Sequence, residues 1–186
     1  MEELREPNLI RSLEDINEGV DYLLPHEVNM LARQLEDTEI ELRRLGELKN
    51  EAMHQSSETW HDNAPADAIR HEAQVFLKKR SRLSQILTNR SVLDYPTPST
   101  PFATIGSRVT LSLNGSEPFE IYIVGVQPGE DGNGELDVCS YRAPLAKAVI
   151  GKVNGEITTA DINGRIVNLQ VINVDQNAQC QDSADS

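Results

Sequence analysis

Three acidic residues stand close together in a polar stretch between two long helical patterns. Residues 58–67 read Glu-Thr-Trp-His-Asp-Asn-Ala-Pro-Ala-Asp, with carboxylates at Glu58, Asp62 and Asp67. Mg²⁺ is a hard ion that takes oxygen ligands and is usually bound through one or two carboxylates while it keeps several waters. Acids in a polar loop are more often simply solvated, so the spacing leaves both a metal-binding role and a plain surface role open.

Histidines near the same stretch raise the alternative of zinc. His54, His61 and His71 lie close along the chain, and His54 is four residues before Glu58. A zinc site needs at least a third protein ligand in position, and the pattern supplies no clear one. We therefore expect surface histidines and no metal site of the chain's own.

Heptad patterns on both sides predict the element that carries the acidic stretch. The first helix starts near Pro25, a residue suited to a first helical turn. Apolar residues then recur at the two seam positions of a coiled coil, and the other positions are charged, which is typical of a helix that packs on one partner. The seam reads Val28, Leu31, Leu35, Thr38, Leu42, Leu45 and Ala52, and in the second segment Ile69, Ala73, Phe76, Leu83 and Leu87, with Arg80 interrupting.

The breaker Pro65 lies midway between the two heptad segments, and Asn63 beside it can cap the second helix. Similar lengths and a short connection favour an antiparallel hairpin over residues 25–93, with the acidic tip at 58–67. The alternative is an intermolecular coiled coil without a hairpin. We expect the hairpin, and a monomer.

A proline-rich linker over residues 94–101 separates the hairpin from a second domain, because three prolines in six residues cannot continue a helix. Residues 102–176 then show period-two patterns and two Asn-Gly turns. We predict an antiparallel sheet with strands at 108–113, 119–126, 136–140, 157–160 and 166–174, and a short helix at 144–150. Residues 177–186 form a polar tail, and residues 1–24 an acidic extension whose placement is open. The fold class is α+β.

Composition excludes several function classes. The formal charge is −13, which argues against independent duplex DNA binding, since neutralising phosphates takes an excess of Lys and Arg. The two cysteines, Cys139 and Cys180, fit a reducing compartment. We find no apolar run of the roughly 18 residues that a membrane span needs, and the charged N-terminus is unlike a signal peptide. These features predict a cytoplasmic protein without membrane association.

One segment resembles a known family. Residues 143–156 read Ala-Pro-Leu-Ala-Lys-Ala-Val-Ile-Gly-Lys-Val-Asn-Gly-Glu. This is similar to the segment of Ser-Pro, small and aliphatic residues, Gly-Lys, two variable residues and Gly-Asp or Gly-Glu in bacterial Gre transcript-cleavage factors. Residues 105–109 are similar to the family's entry into its first strand. The resemblance covers about residues 25–176 and implies an N-terminal helical hairpin followed by an FKBP-like sheet domain.

The resemblance also implies a partner and a mechanism. Gre factors dock their sheet domain on bacterial RNA polymerase and pass the hairpin down its secondary channel. Two tip acids then help the polymerase hold Mg²⁺ and cleave backtracked RNA at its 3′ end. By this resemblance Asp62 and Glu58 bind Mg²⁺ shared with the polymerase, and the chain, not an enzyme by itself, completes that active site. The resemblance also implies that Thr59, Trp60, His61 and Asn63 make the other contacts of the tip. It implies that Pro144, Lys147 and Lys152 dock on the polymerase.

The tip departs from the family pattern at one acid. Aligned through Asn63 and Ala64, the family's Glu falls on Asp62, which keeps a carboxylate, while the family's Asp falls on Thr59, which does not. Glu58, one residue away, is the candidate substitute. Two alternatives to cleavage therefore stay open: a regulator that occupies the channel without cleavage, and a coiled-coil protein that binds another partner. Isomerase activity is not expected, because the sheet domain has few aromatic residues to line such a pocket.

Overall fold

A computed structural model describes residues 6–55, 64–125 and 137–176 of the chain, and the side chains of 52–55, 64–66 and 137 lie outside the description. The chain forms two compact units. The hairpin unit is Val28–Asn89, and the sheet unit takes in the chain up to Glu27 and from Arg90 onward. In the described ranges, no helix is long and apolar enough to cross a membrane.

Two helices make up most of the hairpin unit. Helix α1 is Pro25–Gln55 and helix α2 is Ala64–Thr88. Glu39 of α1 lies 3.7 Å from Arg80 of α2, and these residues are equally distant along the chain from the connecting segment, as an antiparallel pair requires. The predicted coiled-coil seam is the buried face of both helices, where the buried residues are Leu31, Thr38, Leu45, Leu83 and Ile86.

The helix bounds refine the predicted tip. Residues 64–67, placed in the tip by the sequence pattern, form the first turn of α2. The sequence pattern also omitted Ile86, which is 8% exposed, and included Arg80, whose side chain is 52% exposed and interrupts the apolar row as expected.

The sheet unit is built on five strands in the order β5-β4-β3-β7-β6. Their bounds are β3 Arg108–Leu113, β4 Phe119–Val124, β5 Asp137–Ser140, β6 Ile157–Ile162 and β7 Arg165–Asp175, and the short helix α3 is Pro144–Val149. The turn between β6 and β7 is the predicted Asn-Gly pair, with both residues at positive φ (55° and 80°). Side chains from alternate positions of these strands and from α3 form the core, including Val109, Leu111, Ile123, Leu169 and Val149.

The expected fold class, a helical hairpin followed by a sheet domain with one short helix, is confirmed. One pairing differs from the antiparallel sheet that was expected: β5 runs parallel to β4, so the sheet is mixed. The length of the connection permits this pairing, because about a dozen residues separate the two strands, but it does not by itself decide the direction of β5.

Residues 6–24, whose placement the sequence left open, belong to the sheet unit. After a 3-10 turn at Leu13–Asp15 the segment forms strand β1, Asp21–Leu23. Strand β1 pairs in parallel with β2, Arg90–Val92, to make a separate two-stranded sheet. Ile10 and Tyr22 of this segment are buried in the same core as Ile105 and Tyr141.

Candidate functional site

Most of the predicted acidic tip lies outside the described residues. The tip residues between the described ends of α1 and α2 are Glu58, Thr59, Trp60, His61, Asp62 and Asn63. The predicted docking residues, in contrast, are all described. The third acid, Asp67, is described: its carboxylate is exposed and accepts a hydrogen bond from Arg70 at 2.9 Å. Asp67 therefore has a local structural role in the first turn of α2.

The described residues contain no group of three His, Cys, Asp or Glu side chains that could hold a metal ion. His71 is exposed on α2, in agreement with a surface histidine. The metal-binding roles predicted for Asp62 and Glu58 stay predictions.

The predicted docking segment, residues 144–152, consists of α3 and the turn that follows it. Pro144 occupies the first turn of α3 and is exposed, and Lys147 is exposed in its last turn. Lys152 is half-buried and lies 3.5 Å from Glu156, so its charge is partly neutralised. The apolar members of the segment, Val149 and Ile150, are buried. The surface that remains for a partner is thus formed by Pro144 and Lys147.

The Gly-Lys-x-x-Gly-Glu part of the motif has a structural explanation. The backbone N–H of Gly151 donates to Ala103, and a Cβ at Gly151, where φ is 82°, would lie 2.5 Å from the carbonyl oxygen of Arg11. Glu156 closes the next turn by accepting the N–H of Val153 at 2.8 Å. These residues hold the segment after α3 against neighbouring backbone, which explains the glycine at 151 and the acid at 156 without a partner.

One buried acid was missed by the sequence analysis. Glu27 is 1% exposed; its two carboxylate oxygens accept the N–H groups of Leu24 at 2.6 Å and Gly125 at 2.8 Å. Burial raises the pKa of Glu27 from 4.5 to about 7, although the two N–H groups act in the opposite direction. The available signal was a Glu in the first turn after Pro25, since a Glu at the third helical position commonly bonds back to the residue before the helix.

An antiparallel helical hairpin joined to a mixed sheet domain with one short helix is the fold class expected of Gre factors. The comparisons with known proteins agree. Residues 98–176 match the family model described as transcription elongation factor, GreA/GreB, C-terminal. The match covers the sheet domain and confirms the resemblance to Gre factors seen in residues 143–156.

Two curated relatives are named transcription elongation factor GreA. The protein from Chloroherpeton thalassium is 26% identical over 114 residues, which are 61% of this chain and 70% of the relative. The protein from Nautilia profundicola is 25% identical over 162 residues, 87% of this chain and 89% of the relative. The second alignment includes both the hairpin unit and the sheet unit of this chain.

Similar solved structures include GreA factor homolog 1 of Thermus thermophilus, with 21% identity, a TM-score of 0.39, and coverage of 83% of this chain and 98% of that one. A GreA/GreB factor from Nitrosomonas europaea has 16% identity, a TM-score of 0.33, and coverage of 83% and 98%.

One expectation needs correction. The sequence analysis held that the chain, while not an enzyme, completes the polymerase active site for endonucleolytic RNA cleavage. That statement is wrong as made, because the relationship to the two GreA proteins establishes homology to elongation factors and assigns this chain no part of an active site.

Proposed function

We propose that this chain is a transcription factor that binds bacterial RNA polymerase through its sheet domain and inserts its hairpin into the secondary channel. The observation that carries the proposal is the match of residues 98–176 to the GreA/GreB C-terminal model, in a chain that also has a helical hairpin on the N-terminal side. An antiparallel pair of helices is thin and long: the 31 residues of α1 span about 45 Å at 1.5 Å per residue.

Docking is assigned to the surface of α3. Pro144 and Lys147 are exposed there, and Lys147 makes no ion pair with any described residue. An unpaired cation on a chain of charge −13 suits an acidic patch on the partner. Lys152 is a weaker contact candidate because Glu156 already lies 3.5 Å from it.

We infer that occupation of the channel is the main activity of the tip. Thr59 replaces the acid that the family pattern carries at this position, which removes one of the two expected charges. Promotion of cleavage of backtracked RNA is the second candidate, favoured by Asp62. In that case Asp62 and Glu58 bind Mg²⁺ jointly with the polymerase, and Thr59, Trp60, His61 and Asn63 line the contact near the RNA 3′ end.

A pull-down with core RNA polymerase tests the partner. We expect the full chain to bind at low salt, and Lys147→Glu to weaken binding about tenfold because it reverses the docking charge. Arg165→Glu makes the same charge change at an exposed residue of the sheet unit outside α3 and serves as the matched control. Absence of binding by the unaltered chain at low salt would refute the proposal.

Stalled elongation complexes separate the two activities of the tip. Inhibition or altered pausing without release of short 3′ RNA fragments supports channel occupation alone. Release of fragments, lost in Asp62→Ala and Glu58→Ala but kept in Asp67→Ala, supports cleavage. Asp67 is the appropriate control because it is a nearby acid already bonded to Arg70.

A further inference from the structure

The two strands that attach the hairpin to the sheet unit are too short to hold together alone. Strands β1 and β2 pair over three residues each and form a sheet of two strands. Two-stranded sheets are at best marginally stable in water without further packing. Residue 24 alone separates β1 from α1, and residue 89 alone separates α2 from β2, so the pair joins the two points where the chain enters and leaves the hairpin.

We infer that the segment before β1, residues 6–20, acts as a clasp that stabilises the β1–β2 pair within the sheet unit. Asn8 fastens the segment to β2, and Arg142, which follows β5, fastens β1. The clasp is distinct from any contact with polymerase, and it concerns residues for which the Gre resemblance implies no role. One end of the clasp contacts β2 through Asn8, and the other end leads into β1, which Arg142 contacts. The middle of the clasp packs on the sheet domain.

The first end fastens the chain as it leaves β2. The side chain of Asn8 donates to the carbonyl of Val92 at 2.9 Å. The backbone of Asn8 both donates to the Asp94 carboxylate at 2.7 Å and accepts the N–H of Asp94 at 3.0 Å. Three hydrogen bonds thus join Asn8 to residues 92–94, although 84 or more positions separate them in the chain.

The middle of the segment is anchored at Ile10 and Arg11. Ile10 is 3% exposed, and its carbonyl accepts the hydroxyl hydrogen of Thr104 at 2.7 Å in a buried position. The carbonyl of Arg11 passes so close to Gly151 that no side chain fits there. These contacts fix the path of the segment across the sheet domain between its two ends.

The second end fastens β1 through a buried acid. Asp21 is 7% exposed, and its carboxylate accepts a hydrogen bond from Arg142 at 2.7 Å. The Arg142 guanidinium also donates to the Tyr141 hydroxyl at 2.9 Å, and that hydroxyl donates to the carbonyl of Val20 at 3.2 Å. Because a buried carboxylate left without its cation is costly, removing the Arg142 charge should free β1 from the domain.

Burial acts to lower the pKa of Arg142, but its hydrogen bond to Tyr141 and the nearby Asp21 carboxylate outweigh that effect and raise the pKa above its ordinary value. Arg142 therefore carries its charge at neutral pH, so the contact with Asp21 is a charge-assisted hydrogen bond. Opening of the β1–β2 pair then requires loss of the Asp21–Arg142 contact, the Asn8 contacts, or both.

Hydrogen–deuterium exchange on the full-length chain tests the clasp. Three amides report on it: Leu24, Leu93, whose N–H bonds to Leu23 at 2.8 Å, and Asp94, whose N–H bonds to Asn8. We expect Arg142→Gln to speed exchange at Leu93 and Asp94 by at least about tenfold, the factor that accompanies loss of a charge-assisted hydrogen bond. Exchange within β3 should not change.

The clasp predicts that a substitution at one end speeds amide exchange at the other end. Asn8→Ala removes one exposed hydrogen bond and should speed exchange at Leu24 by about threefold or more, although Asn8 does not touch Leu24. Arg11→Gln is the matched control for Arg142→Gln, since it removes the same charge, breaks only an exposed side-chain contact with Glu6, and keeps the backbone carbonyl that lies against Gly151. It should leave all three amides unchanged.

Two results would overturn the clasp. Unchanged exchange at Leu24 in Asn8→Ala and at Asp94 in Arg142→Gln would show that the two ends are independent. Equal acceleration of the three amides and of Val109 and Leu111 in β3 would show that the contacts stabilise the sheet unit as a whole. If Arg142→Gln does not fold, Asn8→Ala decides the question, because Asn8 is exposed. Neither outcome depends on polymerase binding.

Discussion

Glu27 predicts an unusual dependence of stability on pH. Burial raises the pKa of its carboxyl group from 4.5 to about 7 in the folded chain. A group whose pKa is higher in the folded state stabilises the fold when protonated. Its contribution is full below pH 4.5 and is lost as the pH rises through 7. Between pH 5 and pH 8 the loss amounts to about 2–3 kcal/mol, from the difference in proton binding between the folded and unfolded chain.

The perturbation is Glu27→Gln, which removes the titration while keeping the size of the side chain. The amide keeps one oxygen that can accept the N–H of Leu24 or of Gly125, but it turns an N–H toward the other donor. We expect this lost hydrogen bond to lower the free energy of unfolding by about 1–3 kcal/mol at every pH. The informative quantity is the difference in unfolding free energy between the natural chain and the variant. That difference should fall by about 2–3 kcal/mol from pH 5 to pH 8.

Urea denaturation followed by circular dichroism at pH 5, 6, 7 and 8 measures this difference. Glu14→Gln removes one negative charge at an exposed position and controls for the change in net charge. The reasoning would be refuted if the natural chain and Glu27→Gln differed in unfolding free energy by the same amount at pH 5 and at pH 8. That result would mean that Glu27 has the same pKa in the folded and the unfolded chain.

Three further substitutions test the packing. Gly125→Ala should destabilise the sheet unit by about 1–3 kcal/mol, because its Cβ would collide with the carbonyl oxygen of Tyr22 and lie 3.1 Å from Cα of Leu23; an unchanged urea midpoint would contradict this. Gly46→Ala, with open space around the added carbon in mid-α1, should instead stabilise the hairpin by about 1 kcal/mol, and a lower thermal midpoint would argue against it. Leu83→Ala, at a seam position 6% exposed, should cost about 2–5 kcal/mol in urea denaturation, and a loss below about 1 kcal/mol would remove Leu83 from the seam.

Local patterns were sufficient to predict most elements. The heptad rows predict that Leu31, Thr38, Leu45 and Leu83 are buried, as they are in the structure, because a helix that packs on one partner buries one face at a fixed period. The Asn-Gly pairs at 114–115 and 163–164 predict turns for the same kind of reason, since residues that readily adopt positive φ mark the hairpin turns of β-strands.

Contacts between distant parts of the chain could not be predicted in this way. Residues 6–24 carry too weak a pattern to indicate where they pack, and their bonds to Asp94, Thr104 and Tyr141 join positions 80 or more residues apart. The direction of β5 was likewise settled by which neighbour it pairs with, which an isolated strand pattern does not encode.

By itself, then, the sequence determined the helical hairpin, the strands of the sheet domain and the Gre-like motif at residues 143–156, because each follows from periodicity or from a short run of residues. Only the tertiary structure showed that Glu27 is buried between two backbone N–H groups and that Asp21 faces Arg142. The physical reason is that burial and charge pairing depend on what the folded chain brings next to a side chain, and residues far apart in sequence supply most of those neighbours.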